Sequence, residues 1–288
     1  MAHLPIISAK PFDPSSSAPL HINAELVADW LVAFLKDEMT RRRGFTRAVV
    51  GISGGVDSTV TAFLCARAFG PKNVYGFRMP YKVSSKESLD HAQLIVDQLG
   101  INERTIEITP AVDGYIETFE PDIAPGRRGN ICARMRMIIQ FDQSAKIGAL
   151  PVGTGNKTER LFGYFTWHAD DAPPINPLGD LYKTQVWELA RYLKVPEVII
   201  EKPASADLIV GQTDEADFGI SYPKADRILY YLVRGYSPRR LIEMGFDPRE
   251  VHLTKSRVGS THWKRHLPTT VMISTSSINE YYLRPVDF

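Results

Sequence analysis

Between residues 48 and 108, short apolar runs alternate with segments whose apolar residues recur at helical spacing. The apolar runs, at 48–50, 74–79 and 104–108, contain β-branched or aromatic residues, which favour strands. Strands that alternate with helices in this way pair in parallel, and the helices cover the faces of the sheet. We therefore predict an α/β fold built on a doubly wound parallel sheet.

The length and composition allow a substantial core. The chain has 288 residues, of which 44% are hydrophobic, and this suffices for one large α/β domain or two small ones. Residues 1–21 are rich in proline and serine and contain no signal-peptide core, so we predict an irregular N-terminal arm. We predict that residues 22–288 form a single domain that ends in short helices separated by prolines.

Charge and cysteine content limit the partners and the compartment. The net charge of +1 gives no reason to expect nucleic acid or a membrane surface as a partner. No apolar run approaches the ~18 residues of a membrane-spanning helix, so we predict none. Cys65 and Cys132 are far apart and belong to no paired motif. We expect both to be buried thiols of a cytoplasmic protein.

A glycine-rich loop follows the first predicted strand and leads directly into a helical segment. It consists of Gly51, Ile52, Ser53, Gly54, Gly55, Val56, Asp57 and Ser58. A strand–loop–helix unit directs backbone N–H groups and a helix N-terminus at one point, which suits phosphate. The loop is neither a Walker A motif nor a dinucleotide fingerprint, because the required Gly-Lys-Ser/Thr and G-x-G-x-x-G patterns are missing. It carries instead a carboxylate and two hydroxyl groups.

A second loop of similar composition, residues 153–159, follows the fourth predicted strand and contributes Glu159. Taken alone, this loop is also compatible with an ordinary strand–helix turn. Lys183 lies in the first turn of a predicted helix, where a cation opposes the helix dipole unless it faces an anion. Two carboxylates with phosphate oxygens form a usual Mg²⁺ site, and a lysine can neutralise a leaving phosphate. Asp57, Glu159 and Lys183 therefore predict Mg²⁺–nucleotide chemistry.

Other chemistries lack their motifs. The seven histidines form no HExxH or Cys/His metal pattern, and neither a Gly-x-Ser-x-Gly elbow nor a kinase motif set is present. A basic segment near the C-terminus, His262 to His266, is compatible with a contact to phosphate or RNA and equally with a solvated surface.

Two helix starts can be predicted from capping residues. Ser84 precedes Glu87 by three residues, which is capping-box spacing. Residues 120–130 are rich in proline, glycine and arginine and are predicted to be a loop, with Asn130 as the cap of the next helix.

The loop Ser53–Ser58 resembles the SGGxDS motif of the ATP pyrophosphatases, which split ATP between the α- and β-phosphates. Other segments resemble the NAD synthetases of that superfamily and keep their order along the chain. They are 129–137 (GNICARMRM), 153–159 (GTGNKTE), 163–166 (GYFT), 179–184 (GDLYKT), 202–208 (KPASADL), 211–215 (GQTDE) and 263–268 (WKRHLP). The chain is too short to include a glutaminase domain as well, so it resembles the ammonia-dependent class.

The resemblance implies a Rossmann-like fold of the adenine nucleotide alpha hydrolase type and the ATP-dependent amidation of deamido-NAD⁺. In that reaction the nicotinate carboxylate attacks the α-phosphorus of ATP, and pyrophosphate leaves. Ammonia then displaces AMP from the NAD-adenylate to give NAD⁺. The resemblance also implies a homodimer, with the helix near residues 26–35 as a candidate contact, and ammonia that is free or supplied by a separate glutaminase.

The resemblance assigns roles to the matching positions. The implied catalytic residues are Asp57, Glu159 and Lys183, and Asp57 and Glu159 would also hold Mg²⁺. The implied ATP contacts are Gly51, Ile52, Ser53, Gly54, Gly55, Val56, Asp57, Ser58, Arg78, Thr154, Lys183 and Ser205. The implied contacts to deamido-NAD⁺ are Arg134, Trp167, His262 and Lys264.

The chain departs from the family pattern on the nicotinate side. Trp167 and Pro174 replace a lysine and an aspartate of many relatives, and Trp263 separates His262 from Lys264. An alternative is therefore another ATP pyrophosphatase, an amidotransferase or a tRNA-modifying enzyme, that forms an adenylate of a different acid. A catalytically idle nucleotide-binding protein is a further alternative, which the presence of the three implied catalytic residues opposes.

Overall fold

The computed structural model of the chain describes residues 12–205, 211–266, 269–274 and 277. The described strands are β1 (Ala48–Gly51), β2 (Val74–Arg78), β3 (Asn102–Thr105) and β4 (Leu150–Pro151). The described α-helices are α1 (Ala24–Leu35), α2 (Val56–Phe69), α3 (Lys86–Leu99), α4 (Thr109–Phe119), α5 (Pro125–Ile147), α6 (Lys157–Phe162), α7 (Lys183–Tyr192), α8 (Glu197–Ile200), α9 (Asp214–Phe218), α10 (Tyr222–Leu232), α11 (Pro238–Glu243) and α12 (Pro248–Ser260). A π-helical turn at Lys36–Arg41 extends α1.

The strands form one parallel sheet in the order β3-β2-β1-β4. In its register Val50 pairs with Gly76 on one side of β1, and Val49 pairs with Pro151 on the other. The chain runs outward from β1 to β3 and then returns to place β4 on the opposite side of β1. The point between β1 and β4 is therefore a switch point, where the ends of parallel strands leave a crevice for ligands.

Helices cover both faces of the sheet, which confirms the predicted α/β fold. One face of β1 and the helices α1, α2 and α7 share a buried apolar cluster that includes Val50 and Leu64. The other face packs on α4 and α5 through Val49, Phe77 and Ile108. The C-terminal helices form a third cluster around Tyr222. Because the apolar sides of the strands and helices face inward in both layers, the sheet itself is held rigidly beneath the crevice.

Both cysteines are buried and unpaired, as predicted. Cys65 lies in α2 and Cys132 in α5. Burial raises the pKa of the Cys65 thiol to about 12, and it also raises the pKa of Cys132. Since the thiolate is the reactive form, neither residue is a candidate nucleophile.

Two predicted helix starts and one strand are wrong in position. The cap of α3 is Ser85, whose hydroxyl accepts a hydrogen bond from Ser88 N at 3.1 Å, and not Ser84. Helix α5 begins at Pro125, because proline is well tolerated in the first turn of a helix, so the predicted loop ends earlier than residue 130. Strand β3 begins at Asn102, before the β-branched run by which it was predicted.

The N-terminal region is partly described. Residues 1–11 of the predicted arm 1–21 lie outside the described residues, and the division into an arm and a single domain 22–288 stays a prediction. Within the described part, Ala18–Leu20 forms a 3₁₀ turn in which Leu20 is buried. Phe12 lies against Tyr231, with ring centroids 5.7 Å apart.

The stretch Ala18–Arg41 is long and apolar enough to cross a membrane by length and composition. The prediction that no stretch meets this criterion is therefore wrong. The same test is passed by core helices, and α1 packs against α2 and α7 with Ala28 and Leu35 fully buried. The stretch thus gives only weak evidence of a membrane contact.

Candidate active site

A cavity with a volume of about 530 Å³ opens at the C-terminal ends of β1 and β4. It lies at the switch point of the sheet, so the fold itself positions the loops that follow these two strands. The predicted ATP-site residues that line it are Gly51, Ile52, Ser53, Gly55, Val56, Asp57, Ser58, Arg78, Thr154, Lys183 and Ser205. Glu159 lines it as well.

The glycine-rich loop is folded back on itself by its hydroxyl groups. Ser58 Oγ accepts a hydrogen bond from Ser53 N at 3.2 Å and donates one to Gly55 O at 3.0 Å. Gly54 does not line the cavity but makes the turn possible, because its φ of +81° is a left-handed conformation. A Cβ atom at Gly54 would lie 2.2 Å from the carbonyl oxygen of Ser88. The loop therefore rests directly on the backbone of α3.

Replacing Gly54 with alanine is expected to distort this loop. Two energetic penalties combine. Alanine disfavours the left-handed φ of this position, and its Cβ would clash with the backbone oxygen of Ser88, which is fixed within α3. We expect the free energy of unfolding to fall by more than the ~1–2 kcal/mol of the left-handed conformation alone, and the KM for ATP to rise about tenfold or more. Chemical denaturation and steady-state kinetics measure the two effects.

Gly100→Ala is the matched control, because Gly100 has a φ of +62° but open space around its Cβ position. It should lose only the conformational term and keep the KM for ATP. Equal effects of the two substitutions would show that the contact between the loop and Ser88 is unimportant.

Three charged side chains meet at the floor of the cavity. Lys183 Nζ donates a short hydrogen bond to Asp57 Oδ2 and lies 3.7 Å from Glu159 Oε1. The lysine is almost completely buried, with 2% of its side chain exposed, whereas the two carboxylates retain 17% and 18%. The structure thus brings together residues separated by up to 126 positions in the sequence.

The charges explain how a lysine can be buried here. Burial on its own would lower the pKa of Lys183, but the carboxylates of Asp57 and Glu159 outweigh it and raise the pKa. Burial and the nearby Asp57 raise the pKa of Glu159 to about 8, although Lys183 opposes them. The ammonium group of Lys183 therefore stays charged at neutral pH and lies between the carboxyl groups of Asp57 and Glu159.

Glu159 is held in place by a capping box at the start of α6. Asn156 Oδ1 accepts a hydrogen bond from Glu159 N at 3.0 Å, and Glu159 Oε2 accepts one from Asn156 N at 3.2 Å. The amide group of Asn156 also donates to Asp57 Oδ1 at 3.0 Å. Asn156 thus hydrogen-bonds to both Asp57 and Glu159 and fixes the position of one relative to the other. Its role was not predicted, although it lies within the motif that supplied Glu159.

A buried aspartate holds the first turns of α6 and α7 together. Asp226 accepts hydrogen bonds from Thr158 Oγ1 at 2.6 Å, from Thr184 N at 2.9 Å and from Thr184 Oγ1 at 2.8 Å. Thr158 Oγ1 in turn accepts one from Lys183 N at 3.0 Å. Nothing in the sequence pointed to Asp226, because it is an isolated carboxylate in an amphipathic helix.

Arg78 is the last residue of β2, and two polar side chains from neighbouring elements orient it. Its guanidinium group donates to Gln93 Oε1 at 2.6 Å and lies 2.9 Å from Glu103 Oε2. The side chain is mostly buried, with 15% exposed. A fixed planar guanidinium at the cavity wall suits a contact with a nucleotide.

The residues predicted to contact deamido-NAD⁺ do not line this cavity. Arg134 donates to the carbonyl oxygen of Trp167 at 3.2 Å, and Lys264 donates to the carbonyl oxygens of Gly163 and Phe165. The ring of Trp167 packs edge-on against Trp263, with centroids 5.1 Å apart.

These contacts collect the predicted dinucleotide residues beside the segment 163–168. The first part of that segment, Gly163 to Thr166, lines the cavity, so the group lies at its rim. His262 lies in the same turn as Lys264 and contacts His266, with 2.8 Å between the two Nε2 atoms. Parts of two quoted motifs, 206–208 and 267–268, lie outside the described residues.

The carboxylate pair fits a Mg²⁺ ion that is bound partly by its substrate. No group of three His, Cys, Asp or Glu side chains suited to a metal ion occurs within residues 12–205, 211–266, 269–274 and 277. In nucleotide sites Mg²⁺ takes one or two carboxylates, and phosphates and water supply the other ligands. Asp57 and Glu159, in the first turns of α2 and α6, match this requirement.

Comparison with known proteins agrees with the geometry. The sequence profile of the NAD synthase family matches residues 27–268. The chain is 45% identical over 268 residues to an NH₃-dependent NAD⁺ synthetase of Chlorobaculum parvum, covering 92% of this chain and 96% of that protein. It is 44% identical over 255 residues to the NH₃-dependent NAD⁺ synthetase of Fusobacterium nucleatum, with coverage of 88% and 98%.

Solved structures of an NAD synthetase and of an NMN synthetase are also similar to this chain. The NH₃-dependent NAD synthetase of Campylobacter jejuni, in complex with nitrate, superimposes with a TM-score of 0.75 at 30% identity over 87% of this chain and 100% of that chain. The NMN synthetase of Francisella tularensis gives a TM-score of 0.77 at 28% identity, with coverage of 87% and 99%. A profile match over most of the chain, together with relatives near 45% identity along almost their whole length, shows that the chain belongs to the NAD synthase family.

Proposed function

We propose that this protein makes NAD⁺ from deamido-NAD⁺, ammonia and ATP, with AMP and pyrophosphate as the other products. The observation that carries the proposal is the meeting of Asp57, Glu159 and Lys183 beside a phosphate-type loop at the switch point of the sheet. The names of the relatives, NH₃-dependent NAD⁺ synthetases, supply the substrates. The likeness to them favours this reaction over another adenylate-forming amidotransferase or a tRNA-modifying enzyme.

The protein contributes positioning and charge. Backbone N–H groups of the loop 51–58 bind the triphosphate of ATP, and Arg78, Thr154 and Ser205 fix the rest of the nucleotide at the cavity wall. Asp57 and Glu159 would hold Mg²⁺, which when bound would neutralise phosphate charge. Lys183 faces the same oxygens and stabilises the negative charge that builds up as pyrophosphate leaves.

The chemistry needs no protein nucleophile. The nicotinate carboxylate forms a bond to the α-phosphorus, and the bond from that phosphorus to pyrophosphate breaks. Ammonia then forms a C–N bond with the carbonyl carbon of the adenylate, the added nitrogen releases one proton to solvent, and AMP leaves with the electrons of the C–O bond. The enzyme therefore acts mainly by holding the reactants in line, which can supply much of the rate enhancement.

The dinucleotide would lie along the rim formed by the segment 163–168. We assign Arg134, Trp167, His262 and Lys264 to it, since they surround that segment without lining the cavity floor. A homodimer and a cytoplasmic location are part of the proposal, as is ammonia that is taken up free or from a separate glutaminase. Support for the dimer comes from α1, which leaves Leu26 and Trp30 exposed on its outer side, at 59% and 70%.

A direct assay tests the reaction. We expect the purified protein with ATP, Mg²⁺, NH₄⁺ and deamido-NAD⁺ to form NAD⁺, AMP and pyrophosphate in equal amounts. Nicotinic acid mononucleotide serves as a comparison substrate, because one of the similar structures is an NMN synthetase. Release of ADP and phosphate, or AMP formation that does not depend on the acid substrate, would overturn the proposal.

A further inference from the structure

Within the described part of the chain, five positively charged residues line the cavity: Arg78, Arg136, Arg160, Lys183 and Lys202. Four of them have partners in the protein. Lys183 and Arg78 each contact carboxylates. Lys202 donates a hydrogen bond to Ser88 Oγ at 2.8 Å, and Arg136 donates one to the carbonyl oxygen of Met79 at 3.0 Å. Arg160 is the one that remains.

The guanidinium group of Arg160 has no hydrogen bond or ion pair within residues 12–205, 211–266, 269–274 and 277. The backbone of the residue, in contrast, is fully used. Its N–H group donates to Asn156 O at 3.1 Å, and its carbonyl oxygen accepts a hydrogen bond from Arg265 at 3.2 Å. The part of Arg160 that is available to a ligand is therefore its half-buried side chain.

The charge nearest to Arg160 is another cation. Burial lowers the pKa of the Arg265 guanidinium, and the charge of Arg160 lowers it further. The carboxylates of Asp170 and Asp171, which also line the cavity, act on Lys264. A half-buried guanidinium beside a second cation and without a carboxylate partner suits an oxyanion, because its planar donors match a carboxylate or a phosphate.

The fold places Arg160 on the side of the cavity that is assigned to the dinucleotide. In the sheet, β1 lies between β2 and β4. Arg78 is the last residue of β2, whereas Arg160 belongs to α6, the helix that follows β4. Arg265 donates to the carbonyl oxygens of Arg160 and Leu161, and thereby joins α6 to the turn that carries Lys264. Arg160 thus faces ATP from the side opposite to Arg78.

We infer that Arg160 binds an anionic group of the acid substrate, either its carboxylate or one of its phosphates. This role rests on the proposed function and adds to it a residue outside the motifs that resemble the family. ATP and the acid are both anions, so a cation on the side of the acid reduces the repulsion between them as they meet. Because the contact exists before the reaction starts, Arg160 acts on the binding of the acid more than on the rate of bond breaking.

Steady-state kinetics of Arg160→Gln tests this contact. The substitution removes the charge but keeps a polar side chain. We expect the KM for deamido-NAD⁺ to rise about tenfold or more, the size of one charged hydrogen bond, while the KM for ATP stays unchanged and kcat changes less. Arg160→Lys keeps the charge without the planar donors and should recover part of the affinity.

Arg239→Gln is the matched control. It removes the same charge from a side chain of α11 that is 90% exposed, so both KM values should stay those of the wild type. A rise in the KM for ATP alone in Arg160→Gln would assign the residue to ATP and overturn the inference. Unchanged KM values for both substrates would overturn it as well and show that water solvates the guanidinium.

Product inhibition by NAD⁺ identifies the group that Arg160 contacts. NAD⁺ carries the phosphates of deamido-NAD⁺ but has an amide in place of the carboxylate. If Arg160 binds a phosphate, Arg160→Gln should raise the inhibition constant of NAD⁺ as much as it raises the KM for deamido-NAD⁺. If Arg160 binds the carboxylate, the inhibition constant should stay the same. Both results support a contact with the acid substrate.

Thermal melts separate a binding role from a structural one. Since Arg160 has no partner among the described residues and lies near Arg265, unliganded Arg160→Gln should melt at the temperature of the wild type or above it. Deamido-NAD⁺ alone should raise the melting temperature of the wild type more than that of the variant. A lower melting temperature of the unliganded variant, with an equal effect of deamido-NAD⁺, would show that Arg160 supports the fold instead.

The failures of the two proposals can be told apart. A wild-type protein that forms no NAD⁺ contradicts the proposed function, and the melts with deamido-NAD⁺ then still decide whether Arg160 binds the acid. A wild-type protein that forms NAD⁺, together with an Arg160→Gln variant whose KM for deamido-NAD⁺ is unchanged, contradicts only the role of Arg160.

Discussion

Replacing Lys183 with methionine is expected to lower kcat by about 10²–10³-fold, the usual effect of removing one donor that stabilises transition-state charge. Methionine keeps the length and apolar character of the buried stem, so the packing loss is small. What disappears is the cation that contacts Asp57 and lies 3.7 Å from Glu159. Because the charge on the leaving pyrophosphate develops only in the transition state, we expect kcat to fall more than the KM for ATP rises.

The same substitution should change the response of stability to Mg²⁺. Without Lys183 the pKa of Glu159, already raised to about 8, rises further and Asp57 loses its buried partner. Breaking a buried pair typically costs ~3–5 kcal/mol. A divalent cation can replace the lost charge. We expect the melting temperature of Lys183→Met to fall without Mg²⁺ and to rise with added Mg²⁺ more than that of the wild type does.

Lys157→Met is the control for this experiment. Lys157 begins α6 and lies 2.6 Å from Asp180, outside the residues that line the cavity. It should keep its kcat within about twofold, because the carboxylate it pairs with is 95% exposed and such an ion pair is weak. Equal losses in the two variants would mean that Lys183 supports the structure of the loops and does not act on the phosphates.

The sequence was sufficient to predict the α/β fold and the phosphate-type loop, because both depend on local patterns. Helical spacing, β-branched runs and a glycine turn are visible within a few residues of one another. The grouping of Asp57 with Glu159 also followed from general rules, since loops after parallel strands meet at one edge of the sheet. The family resemblance added Arg78, Thr154 and Ser205, which no local pattern marks.

The positioning residues could not be predicted in the same way. Asp226 and Asn156 act through contacts with residues far apart in the chain, and their own neighbours in the sequence give no sign of this. Asp214 lies within the motif 211–215, but its hydrogen bond from Tyr222 is visible only in the three-dimensional structure. Ser84 was preferred to Ser85 as a helix cap, because adjacent serines satisfy nearly the same sequence rule and only the backbone geometry decides between them.

Replacing Asp226 with alanine is expected to lower the free energy of unfolding by roughly 3 kcal/mol, because several buried donors lose their acceptor. The hydroxyl of Thr158 and both donor groups of Thr184 would be left without it. Thr158 Oγ1 also accepts a hydrogen bond from the backbone N–H of Lys183. Because this bond links α6 to α7, its loss would shift Lys183 relative to Glu159. A displacement near 1 Å at a reacting site can cost about 10²-fold, and we expect kcat to fall accordingly.

Lys224→Ala, on the same helix, is the matched control. It removes an ion pair with Glu250 in which half of the lysine side chain is exposed, so little stability should be lost. Chemical denaturation of the two variants measures the difference, and kinetics at saturating substrates measures kcat. A small loss in both quantities for Asp226→Ala would show that water replaces the carboxylate and that Asp226 does not position Lys183.

The pH dependence of stability gives an independent test of the same residue. Burial raises the pKa of Asp226 to about 6, although the hydrogen bonds from Thr158 and Thr184 oppose this. The unfolded chain has a pKa near ~4, so between these values the folded protein binds more protons. The stability that the protonated carboxyl group of Asp226 contributes is therefore fully present below about pH 4 and is lost as the pH rises through about 6.

Comparison with Asp226→Asn, which does not titrate, measures this effect. Relative to that variant, the free energy of unfolding of the wild type should fall by about 3 kcal/mol over this window, since each pKa unit corresponds to ~1.4 kcal/mol. A difference between the two proteins that stays constant from pH 4 to pH 7, the range on either side of the shifted pKa, would mean that the carboxylate is ionised throughout and that the three hydrogen bonds outweigh its burial.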